Sequence, residues 1–105
     1  MNTKTLAGIT IDVNDEGFLM DADVWNPALA LAIAQEEGIA ELTPAHWQVI
    51  DFCRHHATAN GAAPTLKAIM DGAGITTKEL FALFPKGPAK KVAKISGLGK
   101  PEGCV

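Results

Sequence analysis

The sequence predicts an α+β fold: an N-terminal β-hairpin packed on a small, orthogonal, helix-turn-helix-like helical bundle, with a flexible arm at the C-terminus. Three observations carry that prediction. Apolar and polar residues alternate near the N-terminus, proline- and glycine-punctuated helical segments fill the middle, and the last ten residues hold three glycines and a proline. At 105 residues the chain suits one domain with one modest core, needing no disulfide or metal to fold. It divides into a single α+β domain, residues 1–95, and an arm, residues 96–105.

The hairpin is read from Ile9-Thr10-Ile11-Asp12-Val13, whose period of two is that of a half-buried strand. Asn14-Asp15-Glu16-Gly17 supplies turn chemistry and Phe18-Leu19-Met20 returns. One hairpin is marginal alone, so it must pack on helices.

The helices announce their ends. Asn26-Pro27 is a cap followed by proline at the first helical position, and the segment runs to about Glu37 before Gly38 stops it. Thr43-Pro44 repeats the device and opens the longest helix, to Asn60-Gly61. Its core face is Trp47, Ile50, Cys53 or Arg54, and Ala57, widened by Val49 and Phe52. A short helix begins at Pro64 or Thr65 and ends at Asp71-Gly72. Thr76-Thr77-Lys78-Glu79 is a capping box ahead of Leu80–Phe84. Pro85-Lys86-Gly87-Pro88 breaks that helix, and Ala89–Ile95 forms the last. From Ser96 onward the glycines and Pro101 cannot sustain a helix and bury little.

Composition narrows the function classes. The chain is 48% hydrophobic and 20% charged, ordinary for a soluble globular protein. Its longest uncharged run, Val24–Gln35, is far short of a bilayer span, and Met1–Gly8 lacks the apolar region of a signal peptide. A cytoplasmic location with no membrane contact is the expectation, and there the two cysteines are free thiols. The net charge of -3 hides an asymmetry: nine acids and one lysine up to Asp51, then five lysines against one glutamate from Leu80 onward. A basic end on an acidic body suits an acidic partner patch, or nucleic acid near the tail. The Gly61–Pro64 turn between helices resembles a helix-turn-helix. Thr65–Asp71, however, holds one basic residue, Lys67, and the chain is acidic overall, which argues against nucleic-acid recognition.

Cys104 is the candidate for chemistry. One position from the terminus, between Gly103 and Val105, it has no place in a core. Gly103 removes bulk beside the sulfur and the chain end can enter a narrow cleft, so the thiol suits delivery into another protein's site. Nearby lysines favour its thiolate, while Glu102 and the terminal carboxylate oppose it, so it is expected to become a strong nucleophile on docking. Cys53 lies mid-helix beside Phe52 and reads as core packing. His46, His55 and His56 lack the spacing of a helical metal pair, and Cys53 with His56 offers only two ligands, so neither a metal nor a cofactor is called for. His46 reads as a packing or capping residue. Lys90 and Lys94 share a helix face, with Lys91 beside them, and the candidate partner-binding residues are Lys90, Lys94, Lys100 and Gly103.

The phrase Leu83-Phe84-Pro85-Lys86-Gly87-Pro88-Ala89-Lys90, followed by Ile95-Ser96-Gly97-Leu98-Gly99-Lys100-Pro101-Glu102-Gly103-Cys104-Val105, resembles the signature of the TusE/DsrC sulfur-transfer family. Asp15-Glu16-Gly17-Phe18-Leu19 and Leu42-Thr43-Pro44-Ala45-His46-Trp47 are similar too. The resemblance implies a small α+β fold and a persulfide-carrying cysteine at Cys104. In the TusE branch it implies a persulfide donor complex (TusBCD-like), an acceptor that thiolates tRNA (MnmA-like), and 2-thiouridine as the product. DsrC members serving dissimilatory sulfite reductase carry a second arm cysteine eleven positions earlier, where this chain has Ala93. That departure favours a single-thiol carrier: a sulfurtransferase working by relay rather than a self-sufficient catalyst. The alternative is a DsrC-like partner or regulator of a sulfite-reductase or sulfur-oxidation complex.

Overall fold

The computed structural model describes residues 2–99. Two strands, β1 (Asn2–Leu6) and β2 (Ile9–Val13), precede a 3-10 turn at Ala22–Val24. Five helices follow: α1 (Pro27–Glu36), α2 (Pro44–Asn60), α3 (Leu66–Ala73), α4 (Thr77–Leu83) and α5 (Pro88–Ile95).

The strands form the antiparallel hairpin, in register from Asn2 opposite Val13 to Leu6 opposite Ile9. Ala7 and Gly8 between them have φ of 53° and 75°, the left-handed pair that a two-residue turn requires. Here the sequence reading needs correction. It paired Ile9–Val13 with Phe18–Met20, but that pairing is reduced to one bridge, Val13 to Leu19. The true partner, β1, is exposed or half-exposed along its length and so carries no apolar alternation to read. The Asn14 side chain accepts the amides of Glu16 and Phe18, closing a turn that sends Phe18 and Leu19 into the core.

The helices start at their caps. The Asn26 side chain accepts the Leu29 amide at 2.8 Å with Pro27 next in line, and Thr43, Thr65 and Thr76 cap their helices in the same way. Glu79 returns the bond to the Thr76 amide, completing the anticipated capping box. Thr43 heads a second box closed by a histidine: the Thr43 amide donates to His46 Nδ1 at 3.0 Å. His46 is therefore the Nε2–H tautomer, and its Nε2 donates to the Leu83 carbonyl at 2.9 Å, tying the start of α2 to the end of α4.

One boundary differs. The third helix does not stop at Asp71-Gly72; α3 continues to Ala73 and is closed by Gly74 in the left-handed conformation. A Cβ on Gly72 would lie 2.1 Å from Phe52 Cε1, so the missing side chain lets α3 settle on α2. Gly72 serves a helix contact, which spacing alone cannot distinguish from a stop.

All five helices and the turn after β2 contribute to one core, including Phe18, Leu29, Ile50, Ile69, Leu80, Phe84 and Ile95. On α2 the buried stripe is His46, Val49, Ile50 and Cys53, with Trp47, Phe52 and Ala57 half-buried at its edges. Among the described residues, no helix is long and apolar enough to cross a membrane.

Candidate functional site

The candidate site begins where the C-terminal segment leaves the body. Residues 96–98, read from the sequence as the first part of the arm, are packed rather than free: Ser96 is fully buried and Leu98 is 8% exposed. The reason is a helix-ending motif. Gly97, at φ 74°, turns the chain back so that its amide donates to the Lys94 carbonyl and the Leu98 amide to the Ala93 carbonyl. Leu98 then caps the core. The motif was legible in Ile95-Ser96-Gly97-Leu98, a glycine after the last helical turn followed by an apolar residue, but the glycine content of the whole stretch outweighed it.

Two side chains clamp this root. Trp25 Nε1 donates to the Ile95 carbonyl at 2.8 Å, and Arg54 Nη1 donates to the Ser96 carbonyl at 2.7 Å. The Arg54 guanidinium lies 4.1 Å from the Trp25 ring centroid, so each also holds the other in place. Burial lowers the pKa of the guanidinium, against the opposing pull of Asp23. A Cβ on Gly97 would come within 2.5 Å of the Trp25 ring, which sits directly over the turn. Among the described residues the buried Ser96 hydroxyl has no hydrogen-bond partner, and both clamping bonds fall on backbone carbonyls. The sequence reading missed this role for Trp25 and Arg54; the one hint was an arginine in an apolar stripe.

Gly99, exposed, lies at the edge of a cleft of about 510 Å³ lined by Met20, Asp23, Arg54, Thr58 and the Gly61–Ala63 turn. A second cleft of about 410 Å³ lies against Trp25, Asp51, Arg54 and His55, so Arg54 borders both. Cys104, Gly103 and Lys100 lie outside the described residues.

Of the residues anticipated to bind a partner, Lys90 and Lys94 are brought together. With Lys86 and Lys91 they line a cleft of about 280 Å³ beside Glu16, Phe18 and Glu37. They are not equivalent. Lys94 pairs with Glu37 at 3.7 Å and lies 5.3 Å from the Phe18 ring centroid, and Lys91 donates to the Glu37 carbonyl at 2.7 Å. These two close the C-terminal end of α1. Lys90 is half-buried and Lys86 exposed.

Cys53 is fully buried on α2, and burial pushes its thiol up to about 12, so at neutral pH it is not a nucleophile. Ala93, the position where the resemblance implies a second cysteine in the sulfite-reductase branch, is 2% exposed on the inner face of α5. His46 has both ring nitrogens engaged, Nδ1 by Thr43 and Nε2 by Leu83, and is a structural histidine.

The model of the family described as "DsrC like protein" matches residues 5–105, nearly the whole chain. The chain belongs to the DsrC-like family. Its DsrC-like relatives carry two kinds of name. The chain is 38% identical over 105 residues to the "sulfite reductase, dissimilatory-type subunit gamma" of Nitratidesulfovibrio vulgaris, all of both chains being covered. It is also 38% identical to the "sulfurtransferase TusE" of Pectobacterium atrosepticum, covering 93% of this chain and 95% of that one. The DsrC of Allochromatium vinosum superposes with a TM-score of 0.86 at 33% identity, over 99% of this chain and 98% of the other. The hairpin and five helices of this protein are thus the DsrC-like fold, shared with relatives named as a sulfurtransferase and as a sulfite reductase gamma subunit.

Proposed function

We propose that this DsrC-like protein is a cytoplasmic sulfur carrier whose working group is the Cys104 thiol. The observation that carries the reading is the contrast between its two cysteines. Cys53 is sealed in the core with a raised pKa, which leaves the terminal Gly103-Cys104-Val105 phrase as the available thiol.

The chemistry is thiol–persulfide exchange. The Cys104 thiolate attacks the outer sulfur of a donor persulfide; the donor's S–S bond breaks as the new one forms, and the donor leaves as thiolate. In the second step a nucleophile on the acceptor attacks the carried sulfur, and Cys104 leaves as thiolate. No net oxidation occurs in either step. The partner supplies orientation and the chain supplies a sulfur at the end of a tether. The donor is a TusBCD-like persulfide complex and the acceptor an MnmA-like enzyme that thiolates tRNA to 2-thiouridine. Lys90 and Lys100 favour an acidic partner surface, Lys94 being held by Glu37, and Gly103 keeps the approach to the sulfur narrow. The body is residues 1–95 with its helix-ending turn, and the arm is the six residues after Gly99.

The whole-length match to a sulfite reductase gamma subunit supports a second reading, in which the protein attends a sulfite-reducing or sulfur-oxidising complex. Buried Ala93 weighs against its two-thiol version, because no second sulfur is offered there.

Intact mass spectrometry after incubation with a persulfide donor tests the carrier role. The unsubstituted chain gains the mass of one sulfur atom and Cys104→Ser gains none; equal gain on both chains overturns it.

A further inference from the structure

The packed root and the short stretch beyond it limit how far from the exit the Cys104 sulfur can be offered. Leu98 is held by the Ala93 carbonyl and Ser96 by Arg54, so the free reach is counted from Gly99. Cys104 is the fifth residue after it. Even fully extended at about 3.3–3.6 Å per residue, five residues span no more than roughly 18 Å. The body measures 35 × 28 × 23 Å along its principal axes, so surface on its far side is out of range.

The surface around the exit is suited to a protein partner. Four large apolar side chains are exposed in the described body; one of them, Met20 at 55%, lines the exit cleft, and another, Val24 at 40%, stands in the chain between Asp23 and Trp25, which border the two clefts. The Gly61–Ala63 turn lines the same exit cleft without bulky side chains. Arg54 sits between the clefts, with its charge spread over Trp25. Exposed apolar groups around a recess, with an arginine stacked on an aromatic ring at the centre, form the kind of surface at which protein interfaces concentrate their energy. Asp23 and Asp51 beside the same clefts make it a poor seat for nucleic acid.

We propose that the protein acceptor of the Cys104 sulfur docks on this face, with apolar groups covering Met20 and Val24 and a ridge entering the cleft beside Arg54. The proposal rests on the carrier reading given above and adds the acceptor's place to it.

The test separates loading from delivery. The full chain is loaded with labelled sulfur from glutathione persulfide, and transfer to tRNA is then followed with an MnmA-type enzyme, for example that of Pectobacterium atrosepticum. Met20→Asp/Val24→Asp and Ala62→Arg alter the two rims of the exit cleft. Leu31→Asp/Phe81→Asp alters the exposed apolar residues of α1 and α4, and thermal melts confirm that each variant folds. Loading unchanged in all variants, with delivery at least tenfold slower for both rim variants and unchanged for the control pair, is the expected result. Rim variants that deliver at the unsubstituted rate, or a control pair that falls as far, overturn the docking surface while leaving the carrier intact. Failure of the unsubstituted chain to load overturns the carrier reading itself, and loading without any delivery overturns this acceptor and its docking face together.

Discussion

Cys53 shows how far location governs sulfur chemistry. Cys53 sits between Val49, Ile50 and Phe52 on α2, and burial disfavours its thiolate. Its pKa is raised from 9.0 to about 12, so the folded protein holds that proton more tightly than the unfolded chain. The stability associated with the neutral thiol is complete below pH 9 and is lost as pH climbs toward 12. Linkage sets the slope at up to about 1.4 kcal/mol per pH unit for one proton. Urea titrations across that range are expected to show a steeper alkaline decline for the unsubstituted chain than for Cys53→Ala, and iodoacetamide at pH 8 is expected to modify the native Cys104→Ser chain only as fast as it unfolds. Prompt alkylation of that variant would contradict the assignment. The burial of Cys53 was legible from its neighbours in sequence. The roles of Trp25 and Arg54 were not, because each acts on a backbone carbonyl distant in sequence, at Ile95 and Ser96. A pairing with main chain leaves no complementary side chain to notice.

At the scale of elements, caps and starts were readable and contacts were not. Asn26-Pro27, Thr43-Pro44 and Thr76-Glu79 mark helix starts through local hydrogen bonds, which depend only on near neighbours. The pairing of β1 with β2 depended on an exposed strand without alternation, and the true end of α3 depended on what lies across from Gly72. That last contact can be tested. Gly72→Ala would place a methyl against the Phe52 ring, and crowding of this kind typically costs about 1–3 kcal/mol. Phe52→Leu in the same chain is expected to recover part of the loss, because the crowded ring is removed. Chemical denaturation of the two single variants and the double measures the coupling, and strict additivity would show that the two side chains do not meet.

For the molecule as a whole, charge is segregated. Nine acids crowd the first half, while four lysines gather along α5 and the turn before it. Two of these, Lys91 and Lys94, are engaged by Glu37 and belong to the architecture. Lys86 and Lys90 remain as the pair able to attract a partner from a distance. Reversing both to Glu is expected to leave the melting temperature unchanged while slowing association with an acidic acceptor roughly tenfold at low salt, an effect that fades as salt screens it. Stopped-flow association at several ionic strengths checks this, and a rate indifferent to both the reversal and the salt would remove lysine steering.

The phrase from Leu83 to Val105 therefore has two halves with different duties. Phe84 and Pro88 are buried, the Leu83 carbonyl receives His46, and Gly97 fits beneath an indole ring, all without reference to any sulfur atom. A homologue that had exchanged its penultimate residue for serine would keep every one of those contacts. Searches keyed to the phrase retrieve a shape; under the carrier proposal, the sulfur chemistry rests on one side chain that contributes nothing to these contacts.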